Sequence, residues 1–385
     1  MKPSLFRCVT MLLAVLAPVA LVRAQSGPVC TVATDSITPS CPTASGWLGG
    51  VTCQHRTVSC PSVGGVTIND LGITFGHKKP AGTVKGTIVF LSNSGGTSPE
   101  GFPGQEMTFA ADYYNSGFEV IQTAWDSDWE DTGTSTENIA YAAGRPAAFL
   151  SWAKTNYYDP VHTANSTAGM CVHGTSAGSA AAFYALSWYG AYIDKVEALS
   201  GPTLADIRSG CAVFTGSSTL VQVCPSGQLG CNPYNSPGSW SQNPLYSDAR
   251  SSVRTWTARS SCAGTSTTSS ADNSYWKAMS IVDGTVGTFT YSNTNVAAWL
   301  CSSVQSLDGL NDGVMNDSSP EAQLFFQNFT TSTQIPKGLS INAVVGCVGT
   351  EGVYGGTPPS NFSGNGKAAI EADMENATTG CVSNH

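Results

Sequence analysis

The stretch Ala168–Trp188, AGMCVHGTSAGSAAAFYALSW, decides how the rest of the chain is read. Its centre, Gly174-Thr175-Ser176-Ala177-Gly178, fits a G-x-S-x-G pattern, in which a serine sits on a tight strand-to-helix turn with its hydroxyl presented. Five letters drawn from Gly, Ser and Ala occur by chance in a chain this rich in them, so the flanks matter more. Upstream, Met170-Cys171-Val172-His173 reads as a short buried strand. Downstream, Ser179 to Leu186 is rich in alanine, the best helix former. Strand, glycine turn and helix is the context the pattern needs, and it makes Ser176 the candidate nucleophile.

Outward from this centre, elements alternate. On the amino-terminal side, Lys85 to Leu91 is a strand candidate by its β-branched content and runs into Ser94-Gly95-Gly96-Thr97. Glu106 to Tyr114 reads as a helix, Phe118 to Thr123 as the next strand, and Glu137 to Thr155 as a helix kinked or divided at Pro146. On the other side, Lys195 to Ser200 is a strand ending at Gly201-Pro202. Strands separated by helix-length segments imply a mostly parallel sheet with crossover helices on both faces. Thr203 to Asp283 breaks this rhythm with a Ser-, Thr-, Gly- and Cys-rich run, read as a cap-like insertion. The alternation returns from residue 284 onward, with strand-like runs at Gly287 to Tyr291 and Val296 to Val304 and a helix at Ser319 to Phe326. Leu339 to Val345 is the last strand, and an amphipathic helix at Gly366 to Ala377 closes the chain.

The first 24 residues read as a secretory leader: Lys2 and Arg7, then the apolar run Val9 to Val22, then small residues before a cut after Ala24. No second long apolar stretch follows, so no membrane span is expected. Of 13 cysteines, Cys8 leaves with the leader, and the even remainder in an exported chain implies disulfides rather than metal thiolates. Cys30, Cys41, Cys53 and Cys60 are expected to staple residues 25–82, an N-terminal extension with an edge strand at Val51 to Val58. Cys211, Cys224, Cys231 and Cys262 are expected to staple the insertion. Asn-x-Ser/Thr sites stand at Asn165, Asn316, Asn328, Asn361 and Asn376.

The net charge is −9 with only 11% charged residues, and loss of the leader removes three more basic residues. That balance argues against nucleic acid or an anionic membrane as partner. The acidic patches Asp126-Ser127-Asp128 and Asp308 to Asp317 lack the order of a calcium-binding loop and read as surface turns, so no metal is expected.

From Thr83 to the end, the order of elements around the Gly174–Gly178 elbow resembles the α/β-hydrolase superfamily. The resemblance implies a serine hydrolase without a cofactor. Two backbone N–H groups would hold the developing oxyanion: Ala177 after the nucleophile, and Gly96 or Thr97 from the loop after the early strand. It also implies an acid and then a histidine downstream of Ser176. Asp312, in Gly309-Leu310-Asn311-Asp312-Gly313-Val314, is the favoured acid, with Asp308 its close competitor and Asp206 and Asp317 less favoured.

Only His385 lies downstream among the five histidines. It departs from the superfamily pattern, because the loop after the last strand, Gly346 to Val353, holds no histidine. A Cys347–Cys381 disulfide would carry the tail to the sheet's carboxyl end and bring His385 to Ser176. His173 reads instead as a satisfied histidine at a strand end. The expected activity is hydrolysis of a carboxylic ester, small or polymeric, through an acyl-enzyme. A serine peptidase, or a binding protein that has lost catalysis, are the alternatives. Tyr234, Trp240, Tyr246 and Trp256 in the insertion would pack it or line a cleft.

Overall fold

The computed structural model of the 385-residue chain describes residues 30–34, 41–42, 46–62, 68–92, 94–100, 105–130, 139–201, 293–302, 337–348 and 352–385. The leader, the 203–283 insertion and the strand and helix expected at Gly287 to Tyr291 and Ser319 to Phe326 lie outside them. The strands are β1 (Thr31–Val32), β2 (Thr52–Ser59), β3 (Leu71–Lys78), β4 (Gly86–Leu91), β5 (Glu119–Trp125), β6 (Gly169–Thr175), β7 (Lys195–Leu199), β8 (Asn295–Ser302) and β9 (Gly338–Val345). They form one sheet in the order β1-β2-β3-β5-β4-β6-β7-β8-β9. Strands β4 to β9 are parallel to one another, and β1, β2 and β3 join antiparallel at the β5 edge.

Helices α1 (Glu106–Asn115), α2 (Ile139–Ala142), α3 (Gly144–Ala153), α4 (Asp159–Ala164) and α5 (Ala177–Tyr189) lie in the crossovers, and α6 (Gly366–Met374) follows the last strand. Alternate residues of each strand feed two cores. Val89, Leu91, Met170, Val172, Val196 and Ala198 pack with α3 and α5, whereas Ile88, Phe90, Cys171 and Leu199 pack with α1 and α6. Every residue of β4, β5, β6, β7 and β8 is buried, as a parallel sheet covered on both faces requires. Helix α5 is buried from Ala177 to Trp188, and its small residues let it lie flat on the sheet.

The residues stapled by Cys30–Cys60 and Cys41–Cys53 contribute β1, β2 and β3, which continue the central sheet; the edge strand expected at 51–58 is β2, covered on its outer side by the two-residue β1. The helix expected to break at Pro146 breaks instead at Ala143. Pro146 sits in the first turn of α3, where its missing N–H leaves no helical carbonyl unsatisfied. A π-helical turn at Lys154–Tyr158 then joins α3 to α4.

Candidate active site

Strand β6 is flanked by β4 and β7, so its carboxyl end opens at the middle of the sheet. Ser176 follows it with φ 53° and ψ −122° and caps α5. An L-residue held there costs about 1–3 kcal/mol and persists only where its surroundings fix it. They do so on both sides. The Ser176 N–H donates to Leu199 O at 2.9 Å, its carbonyl accepts from the Ser179 N–H at 2.9 Å, and the Ser179 hydroxyl donates to Gly174 O at 2.9 Å.

Gly178 is fixed by space: a Cβ there would stand 1.9 Å from Leu91 O. The backbone of α5 therefore starts flush against the end of β4, which fixes the bend at Ser176, itself a buried residue. Neighbouring β7 ends in a second constrained residue, Ser200 at φ 43°.

As the first residue of α5, Ala177 carries an N–H with no carbonyl partner inside its helix, at the positive end of the helix dipole. The loop after β4 turns through Ser94–Gly96, with Gly95 and Gly96 both at positive φ (70° and 74°). A side chain at 96 would meet Trp125 Cδ1 at 2.7 Å. The turn is pinned by the Trp129 N–H, which donates to Gly95 O at 2.8 Å, while the buried Arg145 holds the Trp129 carbonyl from behind through Nη1 at 2.9 Å. The sequence reading did not foresee this brace; the aromatic-acidic run Trp125 to Glu130 after β5 is the local signal for it.

All five histidines fall within the described residues. His55 pairs with Asp126 at 2.9 Å and His77 with Glu119 at 2.7 Å, both on the antiparallel side of the sheet. His162 meets the Tyr158 hydroxyl at 3.0 Å. His385 does not come to Ser176. Its Nδ1 lies 3.0 Å from Asp194 Oδ1 and its ring stacks on Tyr192 at 3.9 Å. Asp194 immediately precedes β7 and accepts from the Met170 N–H at 2.8 Å, at the amino end of β6. Six residue steps along β6 and its end lead from Met170 to Ser176, about 20 Å at the rise of an extended chain.

The expected Cys347–Cys381 link is replaced by two others, Cys171–Cys381 and Cys301–Cys347. Cys347 follows β9 at the carboxyl end of the sheet beside β8, and Cys381 sits at the amino end against Gly169. The two cysteines lie at opposite ends of the sheet, and the tail is held away from the elbow. The favoured acid Asp312 and its competitors Asp308, Asp317 and Asp206 lie outside the described residues, as do Cys211, Cys224, Cys231, Cys262, Tyr234, Trp240, Tyr246 and Trp256.

His173 is not the satisfied histidine expected. It is 1% exposed, and neither ring nitrogen has a hydrogen-bond partner among the described residues. Its ring is enclosed by Phe90 at 4.7 Å, Phe109 at 4.8 Å and Tyr113 at 5.9 Å. Burial pulls its pKa down to about 3, so at neutral pH it is an uncharged imidazole and a weak base. On the same face, beside it in register, Glu197 accepts from Trp299 Nε1 at 2.6 Å. Lys195 Nζ stands 2.6 Å from Asp373 Oδ2 and 3.6 Å from Glu197 Oε1, a buried contact that pins α6 to β7. Burial pushes the Glu197 carboxyl well above the usual range, against the opposing pull of Lys195. Among the described residues no group of three or more His, Cys, Asp or Glu side chains is arranged to hold a metal ion.

No protein-family model matches the chain. No characterised protein matches it in sequence. Solved structures resemble it in shape. Acetyl xylan esterase 1 from a Thermoanaerobacterium species is 11% identical and aligns over 83% of this chain and 81% of its own, with a TM-score of 0.44. Lipase A of Candida antarctica in its closed state is also 11% identical, over 78% and 75%, with a TM-score of 0.42. A thermostable carboxyl esterase from Bacillus coagulans is 12% identical, over 76% and 90%, with a TM-score of 0.35. The chain's own features define its class. A mostly parallel sheet with β5 and β4 exchanged in order, and a constrained serine between the central strand and its helix, are those of the α/β-hydrolase fold.

Proposed function

We propose that this protein is a secreted serine hydrolase acting on a carboxylic ester, with Ser176 as the nucleophile. The observation that carries the reading is the left-handed backbone of Ser176 at the mouth of the sheet, because strain of that kind concentrates where a side chain must be presented for chemistry. Ser176 Oγ attacks the ester carbonyl and its proton passes to water, the N–H groups of Ala177 and Gly96 receive the oxyanion, the carbon–oxygen bond to the alcohol breaks with the alcohol taking a proton from water, and a second water releases the acid half and restores the serine hydroxyl. Asp312 is the carboxylate proposed to face the serine from the loop after β8.

With His385 held at Asp194, the histidine of the usual triad is not in this arrangement. Removing one triad member elsewhere leaves roughly 10³–10⁴-fold catalysis over water from binding and the oxyanion donors alone, so slow turnover is expected. Export agrees with the four disulfides among the described residues. No helix among those residues is long and apolar enough to cross a membrane.

The placement of the five histidines favours a second reading, an extracellular binding protein that keeps the elbow without the chemistry. A fluorophosphonate probe separates the two. Covalent labelling of the folded protein that vanishes in Ser176→Ala supports the hydrolase, and folded protein that stays unlabelled over hours sinks it.

A further inference from the structure

Five asparagines carry the sequence of a glycan acceptor, and the three within the described residues are presented differently. Asn165, between α4 and β6, is half-buried and engaged on both sides of its amide. Its Nδ2 donates to Val84 O at 2.9 Å, and its Oδ1 accepts from the Thr167 hydroxyl at 2.8 Å and N–H at 3.3 Å. One of the two protons on that nitrogen is thus committed to the carbonyl of the buried Val84, and the side chain is only half exposed to a transferase. Asn361 is exposed in the turn before α6.

Asn376 stands in the turn that leaves α6, in a run of exposed residues, 375–379. Its Oδ1 accepts from the Thr378 N–H at 2.9 Å, the Thr378 hydroxyl at 2.9 Å and the Thr379 N–H at 3.1 Å. Three donors on the oxygen fix the plane of the amide and turn its nitrogen edge away from the turn. The acceptor threonine required at the third position of the motif is the residue that makes two of those bonds.

We infer that Asn376 carries an N-linked glycan and that Asn165 does not. The glycosyl donor is a lipid-pyrophosphate oligosaccharide. A bond forms between Asn376 Nδ2 and the anomeric carbon, the bond from that carbon to the pyrophosphate oxygen breaks, and the amide loses one of its two protons to the transferase. Nδ2 keeps the other. The site has a position suited to a permanent modification. Five residues beyond it, Cys381 is bonded to Cys171 at the amino end of β6, the end opposite Ser176. A glycan at 376 therefore covers the tail and leaves the mouth of the elbow open.

The inference rests on the secretory route proposed above, and the test keeps the two apart by placing a host secretion leader ahead of the full chain in a eukaryotic cell. Secreted, disulfide-bonded protein is released from its glycans by an amidase in heavy-oxygen water, which marks each sugar-bearing asparagine as labelled aspartate, and the peptides are mapped. The label is expected at 376 and not at 165. Asn376→Gln should remove one glycan-dependent gel shift, Thr378→Ala should remove the same one, and Asn165→Gln should remove none. Unlabelled 376 in the secreted wild-type protein, or equal label at 165, overturns the inference. Failure of the natural leader to direct export with the host leader absent overturns only the secretory reading.

Discussion

The caged His173 gives the structure a measurable acid sensitivity. Its two ring nitrogens have no hydrogen-bond partner among the described residues and burial holds its folded pKa at about 3, whereas in the unfolded chain a histidine titrates near 6.5. The folded pKa lies below the unfolded one, so the uncharged ring's stability is fully present above about pH 6.5 and is lost progressively as pH falls towards 3. The size follows from the two values: about 2 kcal/mol lost at pH 5 and about 3 kcal/mol at pH 4, relative to pH 8. His173→Phe places a ring of similar shape among Phe90, Phe109 and Tyr113 and has no proton to take up.

At pH 8 the variant should be more stable by about 1 kcal/mol, from removal of two buried unpaired polar atoms. Its advantage should widen by about 2 kcal/mol at pH 5. Equilibrium urea unfolding of both proteins with disulfides intact, from pH 8 to pH 4, measures the gap. Burial raises the Glu197 carboxyl, which works in the opposite sense, favouring the fold below the unfolded carboxylate pKa and losing that contribution as pH rises. That effect is common to both proteins and cancels in the comparison. A gap that stays constant with pH refutes the reasoning, because it means that His173 reaches a hydrogen-bond partner or water in the folded state.

Two further perturbations test the elbow and the tail. Ser176→Gly relieves a positive φ and should raise stability by about 1 kcal/mol while abolishing fluorophosphonate labelling; an unchanged or lower melting temperature would show that the serine is not strained. Replacing Cys171 with Ala together with Cys381 with Ser opens a closure of sequence separation 210 and should cost about 2–5 kcal/mol. It should also expose the tail to carboxypeptidase, with the probe's labelling rate at Ser176 unchanged. Loss of labelling in a variant that remains folded would place the tail at the active end of the sheet after all.

What the sequence disclosed and what it withheld divide along a physical line. The elbow was legible because its determinants are local: a glycine at 178 where no Cβ fits against Leu91 O, a buried strand before it and an alanine-rich helix after it. Strands β4 to β9 were legible for the same reason, as short apolar runs between turns. Pro146 misled because a proline is tolerated in a first turn and disruptive later, and the break at Ala143 that makes it a first turn has no mark of its own.

The three N-terminal strands were read as an extension because the cysteines of that stretch are more conspicuous than its pairing, and pairing with β5 through β3 is a contact between distant residues. The tail was the largest departure, and it turned on which cysteines meet. Distance along the chain favours Cys347 with Cys381, but direction decides otherwise: a residue after a parallel strand and a residue clamped to a strand's beginning are a strand's length apart. That direction is set where Ala168 bridges Val382 and the Ser383 N–H donates to Thr167 O at 3.0 Å.

 That antiparallel contact runs the last residues alongside the start of β6, and it carries His385 to Asp194 rather than to Ser176. His385, the one histidine downstream of Ser176, is thus held by the same few bonds that hold the tail, and whether Ser176 takes up an acyl group at all without it is what would distinguish the proposed slow enzyme from a binding protein.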